Sequence, residues 1–171
     1  MSDFNIISLN CQGLGDAKKR KDVFNYLHNK NYSIYCLQDT HWVTNIEDYV
    51  RTQWGLDGYF CSFMSNSRGV AILFKNNLEY KVINEQKDTN GNFLALDVLV
   101  DNRRFTLITL YGPNEDTPSF YEKIATVLEN FGNQSYIICG DFNLVLNQNI
   151  DTYNYKHVNN PNAKEKVMEI I

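Results

Sequence analysis

Hydrophobic runs that stop abruptly at polar residues recur along this chain and predict buried strands. Four of these runs occupy residues 4–9, 33–37, 105–110 and 135–139. Short apolar runs bounded by turn residues are typical of strands that are buried on at least one face. When several strands of a sheet end in polar groups, those groups can converge at one rim. The four polar endings are Asn10, Gln38-Asp39-Thr40, Tyr111-Gly112-Pro113-Asn114 and Gly140-Asp141-Phe142-Asn143.

The elements between these runs predict an α/β fold. A strand at 4–9, a helix at about 17–30 and a strand at 33–38 form a βαβ-like beginning. Asn90-Gly91 is a hairpin signal between strands 78–85 and 93–100, and Pro118 suits the N1 position of a helix at about 117–131. Further elements are a short helix near 45–53, strands at 59–64, 70–75 and 103–110, and a helix beginning at 163. Many short strands with helices between them favour a layered α/β sandwich with a mostly antiparallel middle.

Size and composition favour one globular domain over residues 1–171, because 43% of the 171 residues are hydrophobic. No apolar stretch has the length of a membrane span, and the first residues lack the features of a signal peptide. The four cysteines form no C-x-x-C pair, which favours small buried hydrophobes in a reducing compartment over disulfides or zinc. We therefore expect a protein of the nucleus or cytoplasm that is not secreted and has no membrane partner.

The net charge of −4 gives no overall electrostatic argument for a nucleic-acid partner. The charge is uneven, however, because Lys18-Lys19-Arg20-Lys21 opens the first helix, with Asp16 as its N-cap. This run is either a solvated first turn or a contact for a phosphate backbone. Four cations are unfavourable at the positive end of a helix dipole. This cost slightly favours a role in binding a phosphate backbone.

The polar strand ends carry the groups that a divalent-metal phosphodiesterase needs. Asp39 and Asp141 are candidate oxygen ligands for a hard cation, although either one taken alone is more readily a strand-end cap. Asn10 and Asn143 suit the orientation of a phosphate or of a metal-bound water. Tyr111 is either a donor to a phosphate oxygen or an interfacial aromatic residue. Carboxylates that hold a metal neutralise the charge that develops when a phosphodiester is cleaved.

His41 lies two residues beyond Asp39, where it either faces the substrate or has a structural role. The sequence contains no Ser–His–Asp pattern, Walker loop or zinc-ligand spacing. Metal-assisted hydrolysis is therefore the favoured chemistry.

An ordered set of motifs resembles the endonuclease/exonuclease/phosphatase superfamily. Within it, the chain is most similar to the apurinic-type endonuclease domain of LINE-type (non-LTR) retrotransposons. The resemblance runs from Phe4 to about Leu146, and its flanking features include Asn10-Cys11-Gln12-Gly13-Leu14 and Leu144-Val145-Leu146. Its motifs are Leu9-Asn10, Gln38-Asp39-Thr40-His41-Trp42, Ser67-Arg68-Gly69-Val70-Ala71-Ile72-Leu73-Phe74, Tyr111-Gly112-Pro113-Asn114 and Gly140-Asp141-Phe142-Asn143.

The resemblance implies a four-layer α/β sandwich in which mixed, mostly antiparallel sheets are flanked by helices. It implies Mg²⁺ or Mn²⁺ as the cofactor and DNA as the partner. The expected reaction is the nicking of one DNA strand to leave a 3′-hydroxyl. In a full element, a reverse transcriptase region would lie downstream in the same polypeptide.

Roles carry over from the family to the matching positions. The resemblance assigns metal binding to Asn10 and Asp39 and contact with the scissile phosphate to Tyr111. It assigns positioning or deprotonation of the attacking water to Asp141, with support from Asn143. Further substrate contacts are expected at Lys18, Lys19, Arg20, Lys21, His41 and Asn114.

The chain departs from the family pattern at two places. The family most often has Glu at the position of Asp39. Because the Asp side chain is one methylene shorter, we expect a metal site that is shifted slightly but still able to bind the metal. No residues match the family's last segment, which carries a further Asp and an Asp-His pair, so we expect a domain that lacks this carboxy-terminal segment. Two alternatives stay open: an inactive remnant that only binds metal or nucleic acid, and a superfamily phosphatase acting on a small phosphoester. The basic run argues against the phosphatase.

Overall fold

The structure is a computed structural model that describes residues 4–153 and 160–171. No helix within these two ranges combines the length and the apolar character needed to cross a membrane. The elements are, in chain order, β1 Ile6–Asn10, α1 Ala17–His28, β2 Ile34–Gln38, a 3₁₀ turn Thr44–Ile46, α2 Glu47–Trp54, β3 Gly58–Cys61, β4 Val70–Phe74, β5 Tyr80–Lys87, β6 Phe93–Val100, β7 Arg103–Tyr111, α3 Pro118–Phe131, β8 Tyr136–Asp141, α4 Gln148–Asp151 and α5 Pro161–Ile170.

The strands form two four-stranded sheets in the orders β1-β2-β4-β3 and β5-β6-β7-β8. β1 pairs with β2 in parallel, and β7 pairs with β8 in parallel. The remaining pairs, including the β5–β6 hairpin, are antiparallel. The predictions of a βαβ-like beginning and of mixed, mostly antiparallel sheets are therefore confirmed.

A hydrophobic core lies between the two sheets because alternate residues of the facing strands point inward. Ile34 and Cys36 of β2 share this core with Leu94 and Leu96 of β6 and with Leu107 of β7. A second core lies on the outer face of the first sheet, where α1 and α2 cover it. This second core includes Phe24, Leu27, Tyr35, Val50, Trp54 and Leu73.

Local signals set some element boundaries, and contacts between distant residues set others. The Asp16 carboxylate accepts a hydrogen bond of 2.7 Å from the Lys19 backbone N–H, as predicted for an N-cap. β3 was expected to continue to residue 64 but ends at Cys61, because the Phe63 N–H bonds to the Trp42 carbonyl instead of a strand partner. β8 extends two residues beyond the predicted run, so Asp141 is the last residue of the strand.

The chain divides into two compact units. The first comprises Met1–Tyr111 with Asn133–Asp141 and contains both sheets, and the second comprises Gly112–Gly132 with Phe142–Ile171. Within the second unit, the Asp116 carboxylate accepts hydrogen bonds from the Ala163 backbone N–H and the Asn162 side chain at the start of α5. The expectation of a single domain over 1–171 stays a prediction.

We expect Asp97→Asn to lower the free energy of unfolding by about 2 kcal/mol at pH 7. The Asp97 side chain is 1% exposed and accepts hydrogen bonds from Arg104 and from Asn133. The Arg104 guanidinium holds the pKa of Asp97 below its usual range. The stabilisation is therefore complete above the ordinary carboxyl pKa of about 4 and disappears as the pH falls through the lowered native pKa.

Urea unfolding at pH 7 and at pH 3 measures this loss, and Asp22→Asn on the exposed surface of α1 is the control. The difference between wild type and Asp97→Asn should shrink at the lower pH. An equal difference at both pH values would contradict an ionic contribution from Asp97.

Candidate active site

The four strands with polar endings present their inward-facing residues to the space between the sheets. The parallel register places Asn10 beside Gln38 in the first sheet and Tyr111 beside Asp141 in the second. Parallel neighbours end at the same rim, so the ends of β1 and β2 lie together, as do the ends of β7 and β8. The predicted convergence of strand endings is thus present within each sheet.

Asn10 and Asp141 join the rims of the two sheets. The Asn10 amide nitrogen donates a 2.7 Å hydrogen bond to Oδ2 of Asp141, which lies 131 positions away in the chain. An ionised carboxylate only accepts hydrogen bonds, so the amide nitrogen of Asn10 must face Asp141. The amide oxygen of Asn10 accepts a 3.2 Å bond from the Gln12 backbone N–H. Asn10 therefore fixes the orientation of the Asp141 carboxylate.

Asp39 follows β2 and adopts a left-handed backbone conformation with φ of +53°. Its Oδ1 accepts hydrogen bonds from Nε2 of His41, at 2.9 Å, and from the Arg68 backbone N–H, at 3.1 Å. The side chains of His41 and Asp39 are 23% and 15% exposed. The structure thus places His41 against Asp39, and the backbone of the loop before β4 also holds that carboxylate.

A buried polar network beneath the rim was given no role from the sequence. The Gln38 side chain donates to the hydroxyl of Thr109 at 2.9 Å and to the Cys36 carbonyl at 3.0 Å, and its oxygen accepts from the Ser8 hydroxyl at 3.2 Å. Gln38 is 1% exposed, lies beside Asn10 in the register and connects the two sheets. The sequence signal for this network is a glutamine at the end of an otherwise apolar strand. A polar side chain buried in that position needs hydrogen-bond partners, so it predicts a polar network.

Tyr111 is the last residue of β7, and its ring packs against the core between the sheets. Its backbone is held from both sides by Asn92, whose carbonyl accepts from the Tyr111 N–H at 2.7 Å and whose amide donates to the Tyr111 carbonyl at 2.6 Å. Asn92 is a second residue without a role in the sequence interpretation. Its effect is to fix the end of β7 beside Asp141.

Asn143 and Asn114 belong to the second unit. The Asn143 amide donates a 2.6 Å hydrogen bond to the Gly112 carbonyl, and its backbone is left-handed with φ of +51°. The Asn114 carbonyl accepts from the Asn160 side chain at 3.2 Å. Both contacts order the segments that follow the strand-end motifs.

The basic run divides into exposed and buried side chains, which revises one expectation. Lys18 and Lys21 are exposed, but Arg20 is 2% exposed. The Arg20 guanidinium donates to the carbonyls of Leu14 and Gly15 and to the Gln53 side chain, so it is not available to a phosphate backbone. Lys19 is exposed, and its ammonium donates to the Cys11 and Gln12 carbonyls.

The donor chemistry at the rim fits a hard divalent cation. Within residues 4–153 and 160–171, no group of three or more His, Cys, Asp and Glu side chains is placed to hold a metal. Mg²⁺ needs no such group, because it is bound through one or two carboxylates and retains several waters. Asp39 and Asp141 supply carboxylate oxygens, whereas a structural zinc site would require Cys or His ligands.

Comparisons with known proteins agree with this fold. The sequence matches the Endonuclease/Exonuclease/phosphatase family over residues 7–159. It is 27% identical over 145 residues to the "Transposon TX1 uncharacterized 149 kDa protein" of Xenopus laevis. The matched region covers 83% of this chain and 11% of that protein. The chain therefore spans about a tenth of the length of this relative.

Three solved structures share the fold. AP endonuclease LMAP from Leishmania major has a TM-score of 0.74 at 18% identity and is matched over 98% of this chain and 64% of its own. An AP endonuclease from Archaeoglobus fulgidus has a TM-score of 0.67 at 17% identity, with coverages of 98% and 71%. The endonuclease domain of TRAS1, a telomere-specific non-LTR retrotransposon, has a TM-score of 0.64 at 14% identity, with the same coverages.

These likenesses confirm the predicted fold class. They also agree with the resemblance to LINE-type endonuclease domains. Enzymes of this superfamily are phosphodiesterases and related hydrolases that generally depend on a divalent metal. Because the family match extends over residues 7–159 of the 171, the chain belongs to the endonuclease/exonuclease/phosphatase family.

Proposed function

We propose that this chain is a Mg²⁺- or Mn²⁺-dependent endonuclease that nicks one strand of DNA and leaves a 3′-hydroxyl, as in non-LTR retrotransposons. The observation that carries the proposal is the 2.7 Å hydrogen bond between Asn10 and Asp141 at the rim between the sheets. This bond holds a carboxylate at a strand end, where it is half-buried and next in register to a tyrosine. A fixed carboxylate of this kind is suited to orienting an attacking water.

Each residue of the site has a proposed part in the reaction. Asp141 positions the water and accepts its proton, and Asn10 keeps the carboxylate turned toward it. Tyr111 donates a hydrogen bond to a non-bridging oxygen of the scissile phosphate. Asn143 supports the water and the phosphate from the segment after β8.

The metal would be held by Asp39 together with Asn10. When bound, it would neutralise charge that develops on the phosphate and the leaving oxygen. His41 donates to Oδ1 of Asp39, so the ring keeps that carboxylate in one orientation. His41 and Asn114 are further proposed contacts of the substrate.

DNA is the favoured substrate over a small phosphoester for two reasons. The exposed cations Lys18 and Lys21 lie on α1, where they are accessible to the phosphates of a DNA backbone. The relatives also include a transposon protein and the endonuclease domain of a non-LTR retrotransposon. We also propose that, in a full element, a reverse transcriptase region lies in the same polypeptide.

The test is a supercoiled-plasmid nicking assay on purified protein with Mg²⁺, with Mn²⁺ and with EDTA. The products are then extended by a DNA polymerase, which requires a 3′-hydroxyl. Phosphate release from inositol phosphates is measured in parallel. Metal-dependent open circles that can be extended support the proposal. Phosphate release without nicking would replace it with a phosphatase, and metal binding without either reaction would identify an inactive remnant.

We expect the double variant Lys18→Gln/Lys21→Gln to bind DNA more weakly at low salt. If each lysine contacts one phosphate, the slope of log Kobs against log salt should become shallower by about 2. Binding is measured by fluorescence anisotropy from 50 to 200 mM salt. Lys81→Gln/Lys123→Gln removes the same charge from exposed positions elsewhere and is the matched control. Equal slopes for the two double variants would mean that the basic run is a solvated helix turn and does not contact the DNA backbone.

A further inference from the structure

Two cysteines face each other between the sheets, one layer below the candidate active site. Cys36 lies on β2 two residues before Gln38, so both side chains point to the inner face. Cys139 lies on β8 directly beside Thr109 of β7, whose hydroxyl accepts the Gln38 hydrogen bond across the gap. Cys139 therefore points toward the first sheet, and Cys36 points toward the second.

The two cysteines lie in the same core, where the Cys139 thiol donates a 3.6 Å hydrogen bond to the Ile108 carbonyl. Cys36 is completely buried in the core between the sheets, and Cys139 packs against the same core while keeping partial exposure. The side-chain hydrogen bond with Cys139, together with burial, raises the pKa of the Cys36 thiol well above its usual range. Cys139 is the more accessible of the pair, so it is the sulfur that an oxidant in solution meets first.

We propose that Cys36 and Cys139 form a reversible disulfide that connects the two sheets under oxidising conditions. With hydrogen peroxide as the oxidant, the Cys139 thiol takes one oxygen to become a sulfenic acid and releases water. The Cys36 sulfur then attacks the Cys139 sulfur, the S–S bond forms, and the sulfenic oxygen leaves as a second water. The two sulfurs are oxidised, and the two peroxide oxygens are reduced.

The position of this bond links the redox state to the site. Cys36 lies three residues before Asp39, and Cys139 lies two residues before Asp141. A disulfide there would connect a strand of one sheet to a strand of the other and close a long loop of chain. Closing a long loop restricts the unfolded chain, so we expect the melting temperature to rise by about 5–10 °C on oxidation and to return on reduction.

The test is peroxide treatment of the whole chain, alkylation of the remaining thiols under denaturing conditions, and peptide mass spectrometry without reduction. The expected result is a peptide pair joined through Cys36 and Cys139, a fall from four alkylated cysteines to two, and reversal by dithiothreitol. The melting temperature is measured on the same samples.

Cys11 and Cys61 provide matched controls, because both are buried and make hydrogen bonds elsewhere, to Leu9 and Asp88. Cys11→Ser and Cys61→Ser should keep the linked peptide, and Cys139→Ser should lose it. The inference is overturned if wild-type protein retains four alkylatable thiols, if the link joins other cysteines, or if Cys139 is only converted to sulfinic acid. None of these readouts depends on nuclease activity, so this inference and the proposed function can fail separately.

Discussion

Replacing Asp141 with asparagine is expected to lower the rate of plasmid nicking by about 10²–10⁴-fold while leaving the fold intact. Asparagine retains an oxygen that can accept the Asn10 hydrogen bond, so the connection between the two rims is preserved. It removes the negative charge that would accept a proton from water and attract a divalent cation. The rate is measured with Mg²⁺ under single-turnover conditions, and Mn²⁺ affinity is measured by titration calorimetry.

The matched control is Asp48→Asn, which removes one carboxylate from the exposed surface of α2. Its nicking rate and Mn²⁺ affinity should equal those of the wild type. Asp39→Asn should weaken Mn²⁺ binding by at least about 10-fold, because the cation would lose an anionic ligand. Unchanged nicking by Asp141→Asn, with the fold verified by circular dichroism, would remove Asp141 from the catalytic role proposed for it.

Much of the fold was predictable because its signals are local. Asp16 is an N-cap and Pro118 occupies the first turn of α3, as their side-chain chemistry requires. The antiparallel β5–β6 hairpin also follows the prediction, although β5 is displaced to Tyr80–Lys87 and has a bulge after Val82. A bulge adds one unpaired residue to a strand and locally interrupts its pairing, so it changes where the strand ends. Element type was therefore easier to predict than element boundaries.

The burial of Arg20 agrees with the helical periodicity of α1 and not with the charge of the run Lys18–Lys21. Arg20, Phe24 and Leu27 follow one another at the i, i+4 and i+7 spacing of a single helix face, and all three are buried. The run of four cations predicts an exposed, charged first turn, whereas the helical periodicity predicts a buried Arg20. An arginine stem packs on apolar surface while its guanidinium bonds to carbonyls, so a buried position suits it.

The convergence of the polar strand endings was predictable, but the contacts among them were not. The pairing of Asn10 with Asp141 depends on two sheets meeting face to face, and no local pattern encodes a contact across 131 positions. The turn that directs Asp39 toward His41 depends on a left-handed backbone, which aspartate adopts only occasionally. The Gln38 network likewise exists only where β2 and β7 approach each other.

Gly140→Ala is expected to produce the largest loss of stability among these substitutions, about 3–5 kcal/mol. Gly140 has φ of +142°, and a Cβ atom placed on it would lie 2.0 Å from the carbonyl oxygen of Leu110, its register partner on β7. That oxygen belongs to a buried strand, so the clash is relieved only if β8 moves away from β7. Urea unfolding followed by circular dichroism measures the loss.

Gly55→Ala is the matched control for backbone conformation without a clash. Gly55 ends α2 with φ of +79°, and a Cβ placed on it would meet no atom of the described residues within 4 Å beyond its chain neighbours, so alanine there should cost only about 1 kcal/mol. Displacing β8 also moves Asp141, and a shift of about 1 Å in a catalytic group costs on the order of 10²-fold in rate. We therefore expect Gly140→Ala to nick poorly even at temperatures where it remains folded, whereas Gly55→Ala keeps the wild-type rate. Similar stabilities for the two variants would mean that the β7–β8 pairing at Leu110 is looser than the structure describes, and that the glycine before Asp141 is not what holds this carboxylate in place.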